Sequence, residues 1–296
     1  MHYGRVIPIP LRKRRTWRLS RSQQEQLSRL FALCILVPGM VVVLIPVVWM
    51  LAVSLEEMSQ VASFPPSLWP HPFVWDNYAK AFTLLPFGQY FFNTARYAVL
   101  RVIGVTISAS LAGFAFARLR APDRDMLFAL VLSTLMLPYT VTMIPQFIMF
   151  KTFGWTNSYK PLIVPGFFAV APFIVFLFRQ FFRSVSEEVF EAARMDGCNY
   201  PQLYAYIMVP LALPVFATAS ILLFQGAWDD LLGPLIYINS NTKYTVSLAL
   251  ATLRSVLGGS PWNEIMAVSL IAALPPVLLF FFFQRYIISG VVVVSK

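Results

Sequence analysis

Six stretches without Asp, Glu, Lys or Arg alternate with short polar segments along this chain: residues 30–55, 102–117, 126–150, 161–178, 197–228 and 265–284. An apolar helix needs ~20 residues to cross ~30 Å of hydrocarbon. The longer runs qualify outright. The second and fourth are short and need flanking arginines that reach back to the headgroups. The pattern predicts six transmembrane helices. Prolines punctuate three of them: Pro138 and Pro145 in the third, Pro165 and Pro172 in the fourth, Pro210 and Pro214 in the fifth. Neighbouring helices can satisfy the carbonyls that a proline frees, so kinks are expected at these points. Kinked helices around an axis also suit a gated path, although kinking alone does not require one.

One stretch is too polar to belong to either neighbouring span. It runs from about residue 184 to 210 and contains Glu191-Ala192-Ala193-Arg194-Met195-Asp196-Gly197. Ser184 and Glu187 have capping-box spacing, and Ser186 followed by two glutamates is an equally good helix start. Val189, Phe190, Ala192, Ala193 and Met195 put a small-residue surface with one larger edge on a short helix. Gly197 suits the left-handed residue that ends such a helix. Asn199-Tyr200-Pro201 can open the next one, since proline is tolerated in a first turn. The expectation is helix, sharp turn, helix: a docking element at the membrane rim.

Composition and charge agree with the hydrophobic pattern. A chain of 296 residues that is 58% hydrophobic and 12% charged is too apolar for a soluble domain. Residues 1–29 form a basic arm with Arg5, Arg12, Lys13, Arg14, Arg15, Arg18, Arg21 and Arg29; residues 30–296 form the membrane domain. With no folded nucleic-acid reader beside it, the arm reads as the positive-inside signal that keeps the N-terminus cytoplasmic. The first apolar run is too long for a signal-peptide core and has no small-residue cleavage site after it, so it is expected to stay as an anchor. Six spans from an inside start put both termini in the cytoplasm. Arg118, Arg120, Arg124, Arg179, Arg183, Arg194, Arg285 and Lys296 then lie inside, and the sparser Lys80, Lys151, Lys160, Lys243 and Arg254 outside. Arg96 and Arg101 fall near the outer end of the second span and either snorkel outward or face a partner subunit. Residues 56–89 form the longest outer loop, where Pro65, Pro66, Pro70, Pro72 and Pro86 oppose regular structure. Its Trp69, Phe73, Trp75 and Tyr78 suit the headgroup level.

Candidate catalytic chemistry is sparse. His2 and His71 lie outside the spans, so no Ser/His/Asp grouping or histidine metal site can form within the membrane. Cys34 and Cys198 belong to different regions and have no metal-ligand spacing. No G-x-x-x-x-G-K-[ST] loop occurs, so the chain is expected to bind no cofactor, to be no enzyme and to draw energy from a partner. Asp229 and Asp230, after Trp228, are the one paired carboxylate near a membrane boundary. Adjacent residues point different ways on a helix, so an end-of-helix role is preferred over a place on a solute path. Trp228 divides between interfacial anchor and sugar-stacking residue.

The polar stretch resembles the signature loop of the permease subunits of bacterial ATP-binding-cassette importers: Glu-Ala-Ala, three residues, Gly, nine residues, then Ile-x-Leu-Pro. Here Val209 replaces the usual Leu. Phe114-Ala115-Phe116-Ala117-Arg118-Leu119, Arg179-Gln180-Phe181-Phe182-Arg183-Ser184, Asp196-Gly197 and Phe283-Gln284-Arg285-Tyr286 resemble the carbohydrate branch, relatives of the smaller maltose permease subunit. The resemblance runs from about Asn77 to the end. It implies an all-α membrane protein with six transmembrane helices and the type I importer permease fold, in a bacterial inner membrane. It also implies a larger related permease subunit as heterodimer partner, two cytosolic ATPase subunits holding ATP and Mg2+, and an external solute-binding protein. Glu191, Ala192, Ala193, Asp196 and Gly197 would dock into an ATPase cleft, with Glu191 on a basic residue and the alanines allowing close approach. Residues 239–260 correspond to the loop that probes the binding protein; the sequence alone makes them polar and turn-rich. The family commonly has Trp-Asn and then an acidic residue where Trp228-Asp229-Asp230 stands, and the end 290–296 departs from the usual glycine-containing tail. A secondary transporter or channel is the competing class, but would carry ionisable residues at mid-depth and inverted repeats. An integral-membrane enzyme would need a polar cluster at one face.

Overall fold

The computed structural model describes residues 21–61, 63–65, 69–84, 86–256 and 261–294. The basic arm up to residue 20, with His2, lies outside the described residues, as do Pro66, Ser295 and Lys296. Among the described residues every regular element is helical. In chain order the elements that matter here are α1 (Arg21–Ser54), α2 (Phe87–Arg118), α3 (Arg124–Ser133), α4 (Tyr139–Thr152), α5 (Pro172–Ser184), α6 (Glu187–Met195), α7 (Leu213–Trp228) and α8 (Trp262–Val294).

The chain divides into two units at Trp49. The first is the bulk of α1, whose side chains are exposed from residue 25 to 49. The second, from Met50 onward, is built around α2. One side of α2 packs on α5 and another on α7; α7 packs on α8, which in turn covers the short helix Asp76–Leu84. Val105, Ala109, Phe114, Phe178, Phe182, Met208 and Val215 form the main core between these helices.

Among the described residues four helical stretches are long and apolar enough to cross a membrane: Glu25–Ser54, Phe87–Arg118, Lys160–Ser184 and Trp262–Gln284. Two bent pairs bring the count to six. Arg124–Met136 meets Tyr139–Thr152 at 98°, and Tyr200–Leu211 meets Leu213–Trp228 at 76°. These bends are much sharper than the kinks expected from the sequence. At the first, Pro138 has no N–H to give and forces Leu137 into an extended conformation, φ −82° and ψ 113°. At the second, Ala212 sits between two prolines with ψ near 4°, and its N–H returns to the carbonyls of Met208 and Val209. The fourth span is also in pieces. A turn of helix and a 3-10 segment end at Ala169 in the left-handed region (φ 53°) before Pro172 starts α5.

Two loops are more regular than expected. The 56–89 segment contains the helices Met58–Val61 and Asp76–Leu84, the latter with an Asp76–Lys80 ion pair at 3.1 Å. Pro65, Pro70 and Pro72 precede the second helix and Pro86 follows it, so none of them interrupts it. In the 239–260 region Val246–Val256 is helical, with Val246, Leu248 and Ala249 buried. At the other end of the chain, 291–294 simply continue α8.

Helices α2 and α5 approach closely at Gly113. A Cβ there would lie 2.6 Å from the Cβ of Phe178 and 2.9 Å from the backbone N of Arg179. Backbone cannot yield as a side-chain tip can, so overpacking at this point costs ~1–3 kcal/mol. Gly113→Ala is therefore expected to lower the thermal unfolding midpoint of the detergent-purified protein. An unchanged midpoint would show that α2 and α5 can separate freely.

Candidate functional site

Two places combine charged side chains with defined geometry, one at the C-terminal end of α2 and one beside its middle. The first is the α6 turn. Ser186 is the N-cap residue, the second of the two starts read from the sequence, but its side chain makes no capping bond. Ser184 instead donates to the carbonyl of Phe181 in α5. Glu187, free of the capping box, pairs with Arg118 at 2.6 Å. The C-terminus closes as expected. Gly197 has φ +85°; its N–H bonds the carbonyl of Arg194, and the Cys198 N–H bonds that of Ala193, both at 3.0 Å. This pair is the Schellman arrangement that only a left-handed residue permits. Asn199 then caps the next helix in a complete capping box with Gln202: its Oδ1 accepts from the Gln202 N–H at 3.0 Å, and its own N–H donates to Gln202 Oε1 at 2.9 Å. Residues Leu203–Met208 continue as π-helix, in which the Tyr204 hydroxyl meets Ser110 of α2 at 2.7 Å.

The amphipathic division of α6 is sharp. Phe190 and Ala193 are buried in the main core, whereas Glu188, Glu191, Ala192 and Met195 are exposed. These four have i, i+3, i+4, i+7 spacing and so form one stripe. Ala192 thus faces outward with Glu191, while Ala193 belongs to the seat of the helix; Asp196 and Gly197 are exposed at its end.

What holds α6 in place is Arg118, a residue read from the sequence only as a topological charge. Its side chain is 6% exposed. Nε donates to the carbonyl of Phe182 at 3.0 Å, one Nη to Glu187 at 2.6 Å and the other to the carbonyl of Val185; the guanidinium lies 5.3 Å from the centre of the Phe190 ring. A single cation therefore joins the end of α2, the last carbonyls around α5 and the first turn of α6. Beside it Arg179 donates to Asp125 at 2.7 Å and covers the Phe128 ring at 3.9 Å, tying α5 to α3.

The second place is a cavity of about 690 Å3, within the ordinary range for small-ligand sites. Of the residues singled out at the α7 end, Asp230 lines it and Trp228 and Asp229 do not. Asp229 is exposed at the C-cap of α7. Trp228 is buried: its indole N–H donates to the carbonyl of Ala272 in α8 at 2.9 Å and its rings pack on Phe91 and Phe224. It ties α7 to α8 from inside and is no interfacial anchor. Asp230 accepts from the Gly233 N–H at 3.0 Å and from the Tyr97 hydroxyl at 2.7 Å, with Arg101 at 3.7 Å. It thus opens the short helix Leu232–Tyr237 while facing the cavity. Arg101 neither snorkels clear nor stands alone. Tyr97 and Arg101, four apart on α2, were missed as a site; that spacing and the charge inside a span were the available signals.

A bundle of apolar helices with sharp internal breaks, a seated helix–turn–helix at one end of α2 and a polar-walled cavity beside its middle defines a polytopic transport component. Residues 107–293 match the family model described as binding-protein-dependent transport system inner membrane component. The chain is 34% identical over 225 residues to the arabinooligosaccharides transport system permease protein AraQ of Halalkalibacterium halodurans, covering 76% of this chain and 80% of that one. It is 30% identical over 274 residues to the sn-glycerol-3-phosphate transport system permease protein UgpE of Yersinia enterocolitica, covering 89% and 95%. In fold it is similar to a bacterial ABC transporter involved in the import of the acidic polysaccharide alginate, with TM-score 0.77, 22% identity, and coverage of 92% of this chain and 99% of that one. A bacterial alginate ABC transporter in complex with an alginate pentasaccharide-bound periplasmic protein superposes with TM-score 0.63 at 15% identity, covering 90% and 96%. The chain belongs to the family of inner membrane components of binding-protein-dependent transport systems.

Proposed function

We propose that the chain is one of two permease subunits of an ATP-driven carbohydrate importer, paired with a larger related subunit and served by an external binding protein. Two cytosolic ATPase subunits hold ATP and Mg2+ and supply the energy; this chain holds neither. The α6 end faces the cytoplasm, and both termini lie on that side. The observation that carries this reading is the exposed stripe Glu188, Glu191, Ala192 and Met195 on a helix whose other face is buried and whose two ends are fixed. A helix so held presents a rigid surface: carboxylates for a basic partner, and an alanine where backbones can approach. The solute passes the cavity wall that bears Asp230.

In this mechanism the ATPase pair binds two states of the permease with different affinity and so shifts their populations. When the ATPases close on ATP, α6 is drawn with them. Arg118 passes the displacement to α2, and the broken spans re-orient so that the cavity opens outward. Solute released from the binding protein then enters, and hydrolysis restores the inward state. The arabinooligosaccharide permease and the alginate importer, both similar to this chain, are named for carbohydrates, which supports a saccharide as cargo.

Ala192→Trp tests the docking surface. The indole fits the outside of α6 without disturbing Phe190 or Ala193, so the protein is expected to fold and reach the membrane. Recovery of the ATPase on affinity purification is expected to fall at least ~10-fold, since a bulky group at the centre of an interface removes well over ~1.4 kcal/mol. Undiminished recovery would remove α6 as the docking element.

A further inference from the structure

The cavity wall balances its own charge. Of the side chains that line it, Arg101 and Asp230 bear the formal charges, and they stand 3.7 Å apart. Tyr97 bridges them, donating to Asp230 Oδ2 at 2.7 Å and accepting from an Arg101 Nη at 2.6 Å. The other carboxylate oxygen is held by the Gly233 N–H. Arg101 keeps further N–H donors beyond these contacts, and 35% of its side chain is exposed. Gln146 lines the same cavity. So does Tyr237, whose hydroxyl is buried and has no partner among the described residues. An apolar platform completes the wall, with Phe150 and Trp155 stacked at 5.5 Å and nearly parallel at 10°.

Planar donors and acceptors held in fixed orientation beside aromatic faces suit a ring that has hydroxyls at its rim and C–H groups on its face. The charge balance narrows the class further. An anionic solute reaching for Arg101 would meet the Asp230 carboxylate a few ångströms away, where little water screens the repulsion. The guanidinium cannot turn away from that carboxylate without also giving up Tyr97. We infer that this cavity takes uncharged, hydroxyl-rich saccharide units and rejects carboxylated or phosphorylated ones, with Asp230 as the residue that sets this preference. The inference rests on the importer reading above and names the chemistry of its cargo. It also parts this chain from two proteins it is similar to, the sn-glycerol-3-phosphate permease and the importer of acidic alginate.

The test is equilibrium binding to the complete importer in nanodiscs, without binding protein. The probes are lactose, maltotriose and diacetylchitobiose, each beside its C6-oxidised carboxylate. The wild type is expected to bind the neutral member of a pair at least 10-fold more tightly than the acid. Asp230→Asn frees the guanidinium and is expected to move that ratio at least 10-fold toward the acid. Arg101→Gln with Asp230→Asn removes both charges and is expected to abolish the gain. Should Asp230→Asn not assemble, Arg101→Gln alone leaves Asp230 unopposed and is expected to weaken the acids further while the neutral sugars change much less. Equal affinities within every pair, a ratio unmoved by these variants, or no binding of any probe would overturn the inference. An importer complex that contains no ATPase would instead overturn the reading on which it rests.

Discussion

Replacing Gly197 by valine is expected to cut solute uptake at least ~10-fold while the amount of protein in the membrane stays near wild type. The position has open space: a Cβ there would meet nothing within 4 Å. The obstacle is the backbone, held at φ +85° by the two hydrogen bonds that close α6. A residue with a Cβ pays ~1–2 kcal/mol for the left-handed conformation, and a β-branched one more; each ~1.4 kcal/mol is a factor of ten. The strained chain relieves itself by opening the turn, which re-aims the helix beginning at Tyr200 and leaves the docking stripe without a fixed end. Gly197→Asn is the informative control, because asparagine tolerates this conformation, and it is expected to retain most of the uptake. Uptake and immunoblotted membrane abundance, measured together for both variants, decide the matter. Full activity in the valine variant would show that the turn carries no part of transport.

Arg118→Gln has a comparably large expected effect, by a different route. The guanidinium serves two backbone carbonyls and one carboxylate at once, and glutamine cannot reach all three. Hydrogen bonds to a charged group contribute ~1.5–3 kcal/mol each. The Glu187 share is smaller, because that carboxylate is 64% exposed and solvent screens it. The loss falls on the seat of α6, while the Phe178–Phe216 region of the core is untouched. The expected phenotype is uncoupling: the importer assembles and hydrolyses ATP, but solute moved per ATP falls at least ~10-fold. Arg118→Lys keeps the charge and one or two of the contacts, and is expected to recover part of the ratio. A fall in hydrolysis and transport by the same factor, with no recovery in the lysine variant, would mean that Arg118 serves only to keep the fold.

Much of this arrangement is legible in the chain because lipid enforces a simple code. Six uncharged runs became six helical stretches or bent pairs, and the capped turn at Gly197 followed from residue types whose conformational preferences are local. What the pattern hid depends on distant partners. The second run reads as residues 102–117 only because Arg101 truncates it, yet the helix extends back to Phe87. The guanidinium is tolerated there because Asp230, more than a hundred residues later, meets it. Arg118 looks like any other inner-loop arginine until the carbonyls of Phe182 and Val185 arrive beside it. The break at Ala212 is equally obscure, since alanine itself favours helix and the bend comes from prolines on both sides. Ser184 shows the opposite error: its capping-box spacing to Glu187 goes unused, because the helix starts from Ser186 and Arg118 claims Glu187. Trp228, which the sequence divides between interfacial anchor and sugar-stacking residue, is interior, its N–H drawn to a carbonyl on α8.

Helix α2 is unbroken from Phe87 to Arg118 and bears Tyr97 and Arg101 on the cavity wall and Arg118 under α6. The two arginines stand seventeen positions apart on regular helix, ~25 Å at 1.5 Å per residue. Such a rod has a phase as well as a length. One inserted or deleted residue between them would swing one arginine ~100° about the axis relative to the other, so that either the cavity wall or the seat of α6 loses its cation. Length variation in this half of the molecule is therefore expected in the loops at either end of α2 rather than between the two arginines, and change at either place is expected to come by substitution.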